Sequence, residues 1–281
     1  MNIIFIIYHI QLILQYFSVK VNSIEIVVYN EKDLIESSRI SLYDELNIII
    51  NSTKIELTND IIFDNPLEKL TVTGLSYNSS LIKFNNKSSG FVINNQIKNI
   101  EINNISIQGN LDINNYINVT IENVDFNGFM YYGPNFNKKT DFWDEEDYYE
   151  YVYNFKKRSI VIKNFTYHAD YMIDNSRISC IIFHGVVNIY NSFFYGSNAC
   201  TENLIYYDGE SINDFHSLNS FYNGAYLITC LNIYDSYMST IISSTFIRGA
   251  SYTNGGGAIR IELSSLEIMY TIFKDNFSLK N

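Results

Sequence analysis

Acidic and aromatic side chains are concentrated in one stretch of this chain, residues 129–158. Four consecutive carboxylates follow a tryptophan there: Asp144, Glu145, Glu146 and Asp147. Carboxylate oxygens are the ligands that Ca²⁺ prefers, so calcium is the one candidate cation, and no other cofactor is expected. Such a run is more often a solvated loop, and the sequence leaves both interpretations open.

The aromatic residues of the same stretch are candidates for ligand contact. Aromatic rings beside carboxylates suit a carbohydrate or protein partner. The candidate ligand-binding residues are Tyr131, Tyr132, Trp143, Asp144, Tyr148 and Tyr149. The alternative is that these rings pack against the scaffold. No residue is assigned a catalytic role.

The elements that position this stretch follow from a repeated phrase. It consists of two alternating apolar residues, a polar corner, an apolar or aromatic residue, and then glycine. Copies run over residues 100–109, 119–128 and 187–196, and residues 242–249 keep the second half with Ser244 at the corner. Periods of about 20 to 50 residues with strand-length alternation predict a β-solenoid.

Short apolar-alternating pieces, separated by Asn, Ser, Gly or Asp, follow one another from residue 46 onward. The first six are Ile48–Ile50, Ile55–Leu57, Ile61–Phe63, Leu70–Val72, Leu81–Phe84 and Phe91–Ile93. Such pieces suit the successive faces of a coil. We therefore predict an all-β fold, a right-handed parallel β-helix over residues 46–281. Residues 129–158 interrupt the phrase and are predicted to be an insertion that leaves from a turn.

The corners of the coil are predicted at Asn104, Asn123, Asn164, Asn191 and Asp235. Asn and Asp tolerate the left-handed backbone conformation that a sharp bend requires. Their side-chain amides are expected to hydrogen-bond along the solenoid axis. These residues are therefore interpreted as scaffold.

The N-terminal 45 residues are predicted to hold a signal and a cap. Residues 1–23 are interpreted as a signal peptide, with an uncleaved anchor or a buried first strand as alternatives. Residues 24–45 are expected to form a strand, Ile24–Tyr29, and then a helix capped by Asn30. Leu34, Ile35 and Ile40 would face the first coil, because a solenoid end exposes core unless it is covered.

Net charge limits the classes of partner, and cysteines and glycosylation sequons bear on the compartment. The formal net charge of −11 argues against nucleic acid as a partner, because phosphate binding needs clustered basic residues. Three cysteines allow one disulfide or three buried thiols. N-glycosylation sequons begin at Asn51, Asn78, Asn86, Asn104, Asn118, Asn164 and Asn276.

The coil phrase resembles the right-handed parallel β-helix proteins of the pectin-lyase-like superfamily over most of residues 46–281. Residues 255–259, Gly-Gly-Gly-Ala-Ile, and residues 273–276, Phe-Lys-Asp-Asn, resemble the GGAI and FxxN repeats of polymorphic outer-membrane proteins and related β-helix adhesins. The resemblance implies secretion or a cell-surface location and adhesion. Further coils normally follow such repeats, so we expect a short member or a fragment of a longer protein.

Polysaccharide-degrading activity is the main alternative. His184-Gly185 is similar to part of a polygalacturonase site, but the chain has no Asp-Asp pair, and Arg260-Ile261-Glu262 carries Glu where that site has Lys. Acid–base work on a glycosidic bond needs two carboxylates at a fixed separation. Carboxylates and basic residues that converge on one outward sheet face would favour catalysis, and scattered groups would favour binding.

The sequence therefore predicts a secreted or cell-surface protein that binds glycan or protein without catalysis. The alternatives are a divergent polysaccharide lyase or hydrolase, and an ectodomain fragment of a larger membrane-anchored protein. No membrane span is expected in the mature chain unless the N-terminal segment stays uncleaved.

Overall fold

The computed structural model describes residues 21–94, 96–114, 117–133, 158–172, 177–197, 199–209, 214–222, 229–251 and 256–278. This part of the chain contains strands β1 to β24 and one helix, α1 (Glu31–Ser38). The strands form three sheets, A, B and C, and the pairings are parallel.

Sheet A has fourteen strands: β1 Val21–Val28, β2 Tyr43–Ile50, β3 Lys54–Leu57, β5 Leu67–Gly74, β6 Leu81–Phe84, β8 Ile97–Gln108, β10 Asn118–Asn127, β12 Ser159–His168, β14 Val186–Tyr195, β16 Asp214–Tyr222, β18 Met238–Ile242, β19 Thr245–Ile247, β22 Leu266–Met269 and β23 Ile272–Lys274. Sheet B has eight: β4 Ile61–Phe63, β7 Gly90–Ile93, β9 Asn110–Ile113, β11 Met130–Tyr132, β13 Arg177–His184, β15 Cys200–Asp208, β17 Thr229–Tyr234 and β21 Ile259–Glu262. Sheet C pairs β20, Ala250–Ser251, with β24, Phe277–Ser278.

Each strand pairs with the equivalent strand one coil away. In sheet A, Ile100 of β8 is opposite Val119 of β10, which is opposite Ile160 of β12. The chain crosses to sheet B between these strands, because β9 and β11 lie between β8 and β12 in sequence. Parallel neighbours require such crossovers. The predicted all-β parallel β-helix is confirmed.

The core is the interior of the coil. Alternate residues point inward, so equivalent apolar side chains stack along the axis. Ile121, Ile162 and Ile189 are at most 1 % exposed. The ring of Phe165 lies 6.2 Å from that of Phe126 and 5.8 Å from that of Phe194. Burial of one such side chain contributes about 1.5–3 kcal/mol, which offsets the entropy of ordering short strands.

The predicted asparagine corners are confirmed in sheet A. Asn104, Asn123 and Asn164 have φ of 54°, 54° and 49°. Asn123 Nδ2 donates to Asn104 Oδ1 at 3.1 Å, and Asn164 Nδ2 donates to Asn123 Oδ1 at 3.1 Å. The amides thus form a ladder along the axis, and these residues are scaffold.

One predicted corner, Asp235, lies at a different place in the coil, and another, Ser244, is wrong by one residue. Asp235 is left-handed, with φ 49°, but it follows β17 of sheet B, so it belongs to a different corner from the asparagine ladder. In the later coil the left-handed residue is Ser243, with φ 47°, and not Ser244. The Ser244 hydroxyl instead donates to the Ile242 carbonyl at 3.0 Å.

Glycine at the end of the phrase allows neighbouring coils to approach. Gly128 has φ 157°, and a Cβ built there would lie 2.0 Å from the carbonyl oxygen of Gly109 in the preceding coil. A side chain at this position would therefore collide with backbone.

The predicted capping helix is confirmed. Asn30 accepts a hydrogen bond from the Asp33 amide at 3.1 Å, and the Asp33 carboxylate accepts from the Tyr29 amide at 3.0 Å. This reciprocal cap starts α1, and Leu34 is fully buried. Strand β1 begins at Val21, within the predicted signal peptide, and residues 1–20 lie outside the described residues.

The first residues of the predicted insertion belong to the coil. Met130–Tyr132 form β11, which pairs in register with β9 and β13. Residues 134–157 lie outside the described residues.

Candidate functional site

Sheet B carries a polar and aromatic surface on its outward side. Inward residues such as Ile181, Ile205 and Leu231 are fully buried, so the residues that alternate with them point away from the core. The strand register places these outward residues in two rows. We call them together the sheet B outer face: Asp112, Tyr131, Ile182, Tyr206, Asn232 and Arg260 in one row, and His184, Asp208, Tyr234 and Glu262 in the other.

A histidine and a carboxylate meet in the second row. His184 Nδ1 lies 4.0 Å from Asp208 Oδ2, and their side chains are 17 % and 14 % exposed. The ring of Tyr131 lies 5.8 Å from the imidazole. Gly133 makes room for this arrangement, since a Cβ there would lie 2.6 Å from His184 Cδ2. The glycine that precedes the insertion thus helps to seat His184.

A salt bridge lies at the far end of the face. Arg260 and Glu262 are two residues apart on β21, and their side chains form this pair. Between it and the His184–Asp208 contact, burial raises the pKa of the Tyr206 hydroxyl. Asp208, Tyr234, Glu262 and Asp235 add to this rise in pKa, because negative charge opposes formation of a phenolate.

Asn232 lies at the centre of the first row, between Tyr206 and Arg260. Its side chain is 6 % exposed. Its Oδ1 atom is buried, and no described residue donates a hydrogen bond to it. An unsatisfied buried acceptor costs about 1–3 kcal/mol and points to a ligand or a functional role.

The structure divides the predicted ligand-binding residues. Tyr131 lies on the sheet B outer face. Tyr132 does not: it is fully buried, and its hydroxyl donates to the Ile117 carbonyl at 2.9 Å. Strand alternation turns it inward, so a surface ligand cannot reach it, and we remove it from the candidate site. Trp143, Asp144, Tyr148 and Tyr149, with the calcium candidates Glu145, Glu146 and Asp147, lie outside the described residues.

Six residues of the face were not anticipated from sequence: Asp112, Ile182, Tyr206, Asp208, Asn232 and Tyr234. The signal that could have found them is the alternation in residues 205–208 and 231–234, in which polar or aromatic residues follow apolar ones. The structure also places on this face His184 and Arg260, which the sequence offered only as short separate matches. They lie on strands three apart, about 14 Å, so the carboxylates and basic groups are spread along one outward face and do not converge on one point.

A second cluster of titratable groups lies on the outward side of sheet A. Asp125 Oδ1 is 3.9 Å from His168 Nε2, and the His168 ring stacks on Tyr195 with centroids 4.9 Å apart. Burial raises the pKa of the Asp125 carboxyl, and His168 acts in the opposite direction. Tyr171 reaches back along this side and donates its hydroxyl to the Phe84 carbonyl. We assign this cluster no ligand.

Comparison with known proteins identifies no relative. No protein-family model, curated protein or solved structure matches this chain. Within the described ranges, no helix has the length and apolar character needed to cross a membrane. Among the same residues, no three His, Cys, Asp or Glu side chains are grouped as metal ligands would be.

Proposed function

We propose that this chain is a secreted or cell-surface protein that binds an extracellular glycan along the sheet B outer face. The observation that carries the proposal is the alternation on this face of aromatic rings with carboxylate, guanidinium and amide groups. Aromatic faces and hydrogen-bonding side chains in rows suit a linear polar polymer. A protein interface would be expected to have a more apolar centre.

The disulfide supports the proposed location. Cys180 of β13 is bonded to Cys200 of β15, with Cα atoms 5.5 Å apart. Disulfides persist in oxidising compartments, including the secretory pathway and the cell surface. The mainly apolar segment at the N-terminus fits the same route.

A glycan array followed by alanine substitution tests the proposal. Tyr206→Ala on the outer face of sheet B should weaken binding by about 5- to 30-fold, as expected for loss of a central aromatic contact. The matched control is Tyr195→Ala, which removes a tyrosine from the outward side of sheet A. Equal effects of the two substitutions, or no effect of Tyr206→Ala, would contradict the assignment.

The insertion has its own test. Replacement of Trp143, Tyr148 and Tyr149 by alanine is expected to weaken glycan binding, because the insertion leaves next to His184. Binding that is unchanged in this triple variant would leave the sheet B outer face as the site and remove the insertion from it.

A second candidate function, hydrolysis of the bound glycan in the manner of pectin-lyase-like enzymes, is favoured by the spacing of two carboxylates. Asp208 and Glu262 lie in one row two strands apart, which separates their backbones by about 10 Å. Inverting glycosidases hold their carboxyl groups about 6.5–9.5 Å apart.

Binding remains the first proposal because Tyr234 lies between these carboxylates in the row, where substrate and water would need space. Release of reducing sugar from polysaccharides tests the second candidate. Activity that is lost in both Asp208→Asn and Glu262→Gln would support hydrolysis. No release by the unchanged chain from a polymer that it binds would exclude it.

A further inference from the structure

The N-glycosylation sequons are motifs that the sheet B outer face does not use. An N-linked glycan is bulky and polar, so the folded protein tolerates it only where the asparagine lies on the surface. The structure separates the sequon asparagines into two groups. Three lie on turns, and four lie in strands or at tight corners: Asn51, Asn78 and Asn86 in the first group, and Asn104, Asn118, Asn164 and Asn276 in the second.

The sheet A corner shows how the groups differ. Strand β5 pairs in register with β2 on one side and with β8 on the other. Strands β2 and β5 are each followed by a turn, residues 51–53 and 75–80, and Asn51 and Asn78 lie exposed in these turns. Strand β8 instead continues through the same corner, where Asn104 is left-handed and half-buried. The coils of β2 and β5 therefore project an asparagine from a corner at which later coils stack it.

The side-chain amides of the second group are held by neighbouring coils. Asn118 Nδ2 donates to Asn99 Oδ1 at 3.1 Å, and Asn276 Nδ2 donates to the Phe246 carbonyl oxygen at 2.8 Å. The other two asparagines belong to the corner ladder. Exposure alone does not separate the groups, because Asn118 is exposed as well. Neighbouring coils are only about 4.8 Å apart, so a sugar on these amides would push the coils apart and break the hydrogen bonds.

The turn asparagines present a side-chain nitrogen to solvent. No described residue accepts a hydrogen bond from Nδ2 of Asn78 or Asn86, and both side chains are exposed. Asn51 Nδ2 has one distant neighbour, the Tyr29 hydroxyl at 3.5 Å. This separation exceeds the range of about 2.7–3.2 Å for ordinary N–H···O hydrogen bonds. A sugar on any of these three nitrogens would break no strong hydrogen bond.

Asn86 and Ser88 form a local turn that suits the acceptor role. The Ser88 amide donates to Asn86 Oδ1 at 3.1 Å, and the Ser88 hydroxyl donates to the same oxygen at 2.8 Å. Such a turn involves only three residues, so it can form before the coils stack. Two donors on the amide oxygen polarise the amide and make its Nδ2 hydrogens easier to remove. The hydroxyl that the sequon requires thus already contacts its asparagine.

We propose that N-linked glycans are attached at Asn51, Asn78 and Asn86, and that the four sequons within the stacked coils stay unmodified. The donor is a lipid-linked oligosaccharide pyrophosphate. A bond forms between Nδ2 and C1 of the first sugar, the bond from C1 to the pyrophosphate oxygen breaks, and the Nδ2 proton passes to a base of the transferase. This transfer occurs in the secretory pathway, so the inference rests on the proposed secretion.

The experiment is expression of two versions of the chain in cultured insect cells. One version keeps its own N-terminus, and in the other a secretion signal of known activity replaces residues 1–20. Protein from the medium is treated, in water labelled with heavy oxygen, with an amidase that converts glycosylated asparagine into labelled aspartate, and its peptides are mapped by mass spectrometry. The label should appear at Asn51, Asn78 and Asn86 and at no other sequon.

The outcomes separate this inference from the proposed function. In the version with the known signal, label at a sequon of the second group, or its absence from any turn asparagine, would overturn the inference. If only the version with its own N-terminus stays in the cells without glycans, the proposed secretion is overturned and the acceptor assignment stands. A chain that carries these glycans but binds nothing on the glycan array would overturn the proposed binding function alone.

Matched substitutions test individual sites. Asn78→Asp should remove one glycan, seen as faster electrophoretic migration. Asn104→Asp, at the same corner one coil away, should remove none and keeps an oxygen that can accept from Asn123. Asn86→Asp should likewise remove one glycan, and Asn85→Asp beside it should remove none. Loss of a glycan in either control, or unchanged migration of Asn78→Asp or Asn86→Asp, would overturn the assignment.

Discussion

Asn123 allows the corner of the solenoid to be tested quantitatively. It donates one side-chain hydrogen bond to Asn104 and accepts one from Asn164, each at 3.1 Å. Its backbone is left-handed, with φ 54°. Replacement by alanine therefore removes two hydrogen bonds and places a Cβ-bearing residue without a local hydrogen-bonding side chain in a strained conformation.

The expected cost has two parts. The two hydrogen bonds are partly exposed, and together they contribute about 1.5 kcal/mol. The left-handed conformation costs alanine about 1 kcal/mol more than it costs asparagine or glycine. Asn123→Ala should therefore destabilise the protein by about 2.5 kcal/mol, and Asn123→Gly by about 1.5 kcal/mol, because glycine adopts this φ freely.

Thermal and urea unfolding followed by circular dichroism measures both effects. For a chain of this length, 1 kcal/mol corresponds to about 2–4 °C in melting temperature. Asn188→Ala, an outward asparagine on a strand, is the control and should change stability by less than about 0.5 kcal/mol. Equal losses in the alanine and glycine variants would refute the backbone argument. Losses below about 0.5 kcal/mol in both would refute the ladder.

Three further predictions concern the scaffold. Gly128→Ala should destabilise the protein by more than about 2 kcal/mol in the same assay, because its Cβ would meet the Gly109 carbonyl oxygen at 2.0 Å; an effect below 1 kcal/mol would contradict this. Asp125→Asn should raise the melting temperature near neutral pH. Burial raises the pKa of the Asp125 carboxyl in the folded protein above its ordinary value of 3.8. The protonated carboxyl therefore contributes stability below pH 3.8, and this contribution is lost as the pH rises through the folded-state pKa. The advantage of Asp125→Asn should vanish in melting curves recorded below about pH 4, and an advantage that persists there would refute the reasoning. The Cys180–Cys200 disulfide joins residues 20 positions apart, and its reduction should lower the free energy of unfolding by about 3 kcal/mol. A reductant should therefore lower the melting temperature of the native chain but not that of a variant with both cysteines replaced by alanine.

The cysteines show what the sequence left open. Three cysteines allow a bridge or free thiols, and the sequence did not choose between them. In the fold, adjacent coils bring Cys180 and Cys200 together. Cys230 stays free and buried, and burial raises its thiol pKa to about 12. Pairing depends on which coils are neighbours, and that depends on coil length.

The scaffold could be predicted because its requirements are local. Alternation of apolar residues specifies which side chains enter the core, and Asn and Gly occur where the backbone needs left-handed or crowded conformations. The cap at Asn30 follows from its own neighbours in sequence. Ser244 was misplaced by one residue, because serine carries a weaker corner signal than asparagine.

The candidate site could be predicted only in part. Tyr131 and Tyr132 are the same residue type in adjacent positions, yet β11 turns the first outward and the second into the core. The sequence by itself determined an all-β parallel β-helix with an N-terminal capping helix, because the repeated phrase and the helix cap are both local patterns. The tertiary structure alone decided that His184, Asp208, Asn232 and Glu262 share one outward face. These residues are far apart in the chain, and only the register of parallel strands, set by coils of unequal length, brings them together.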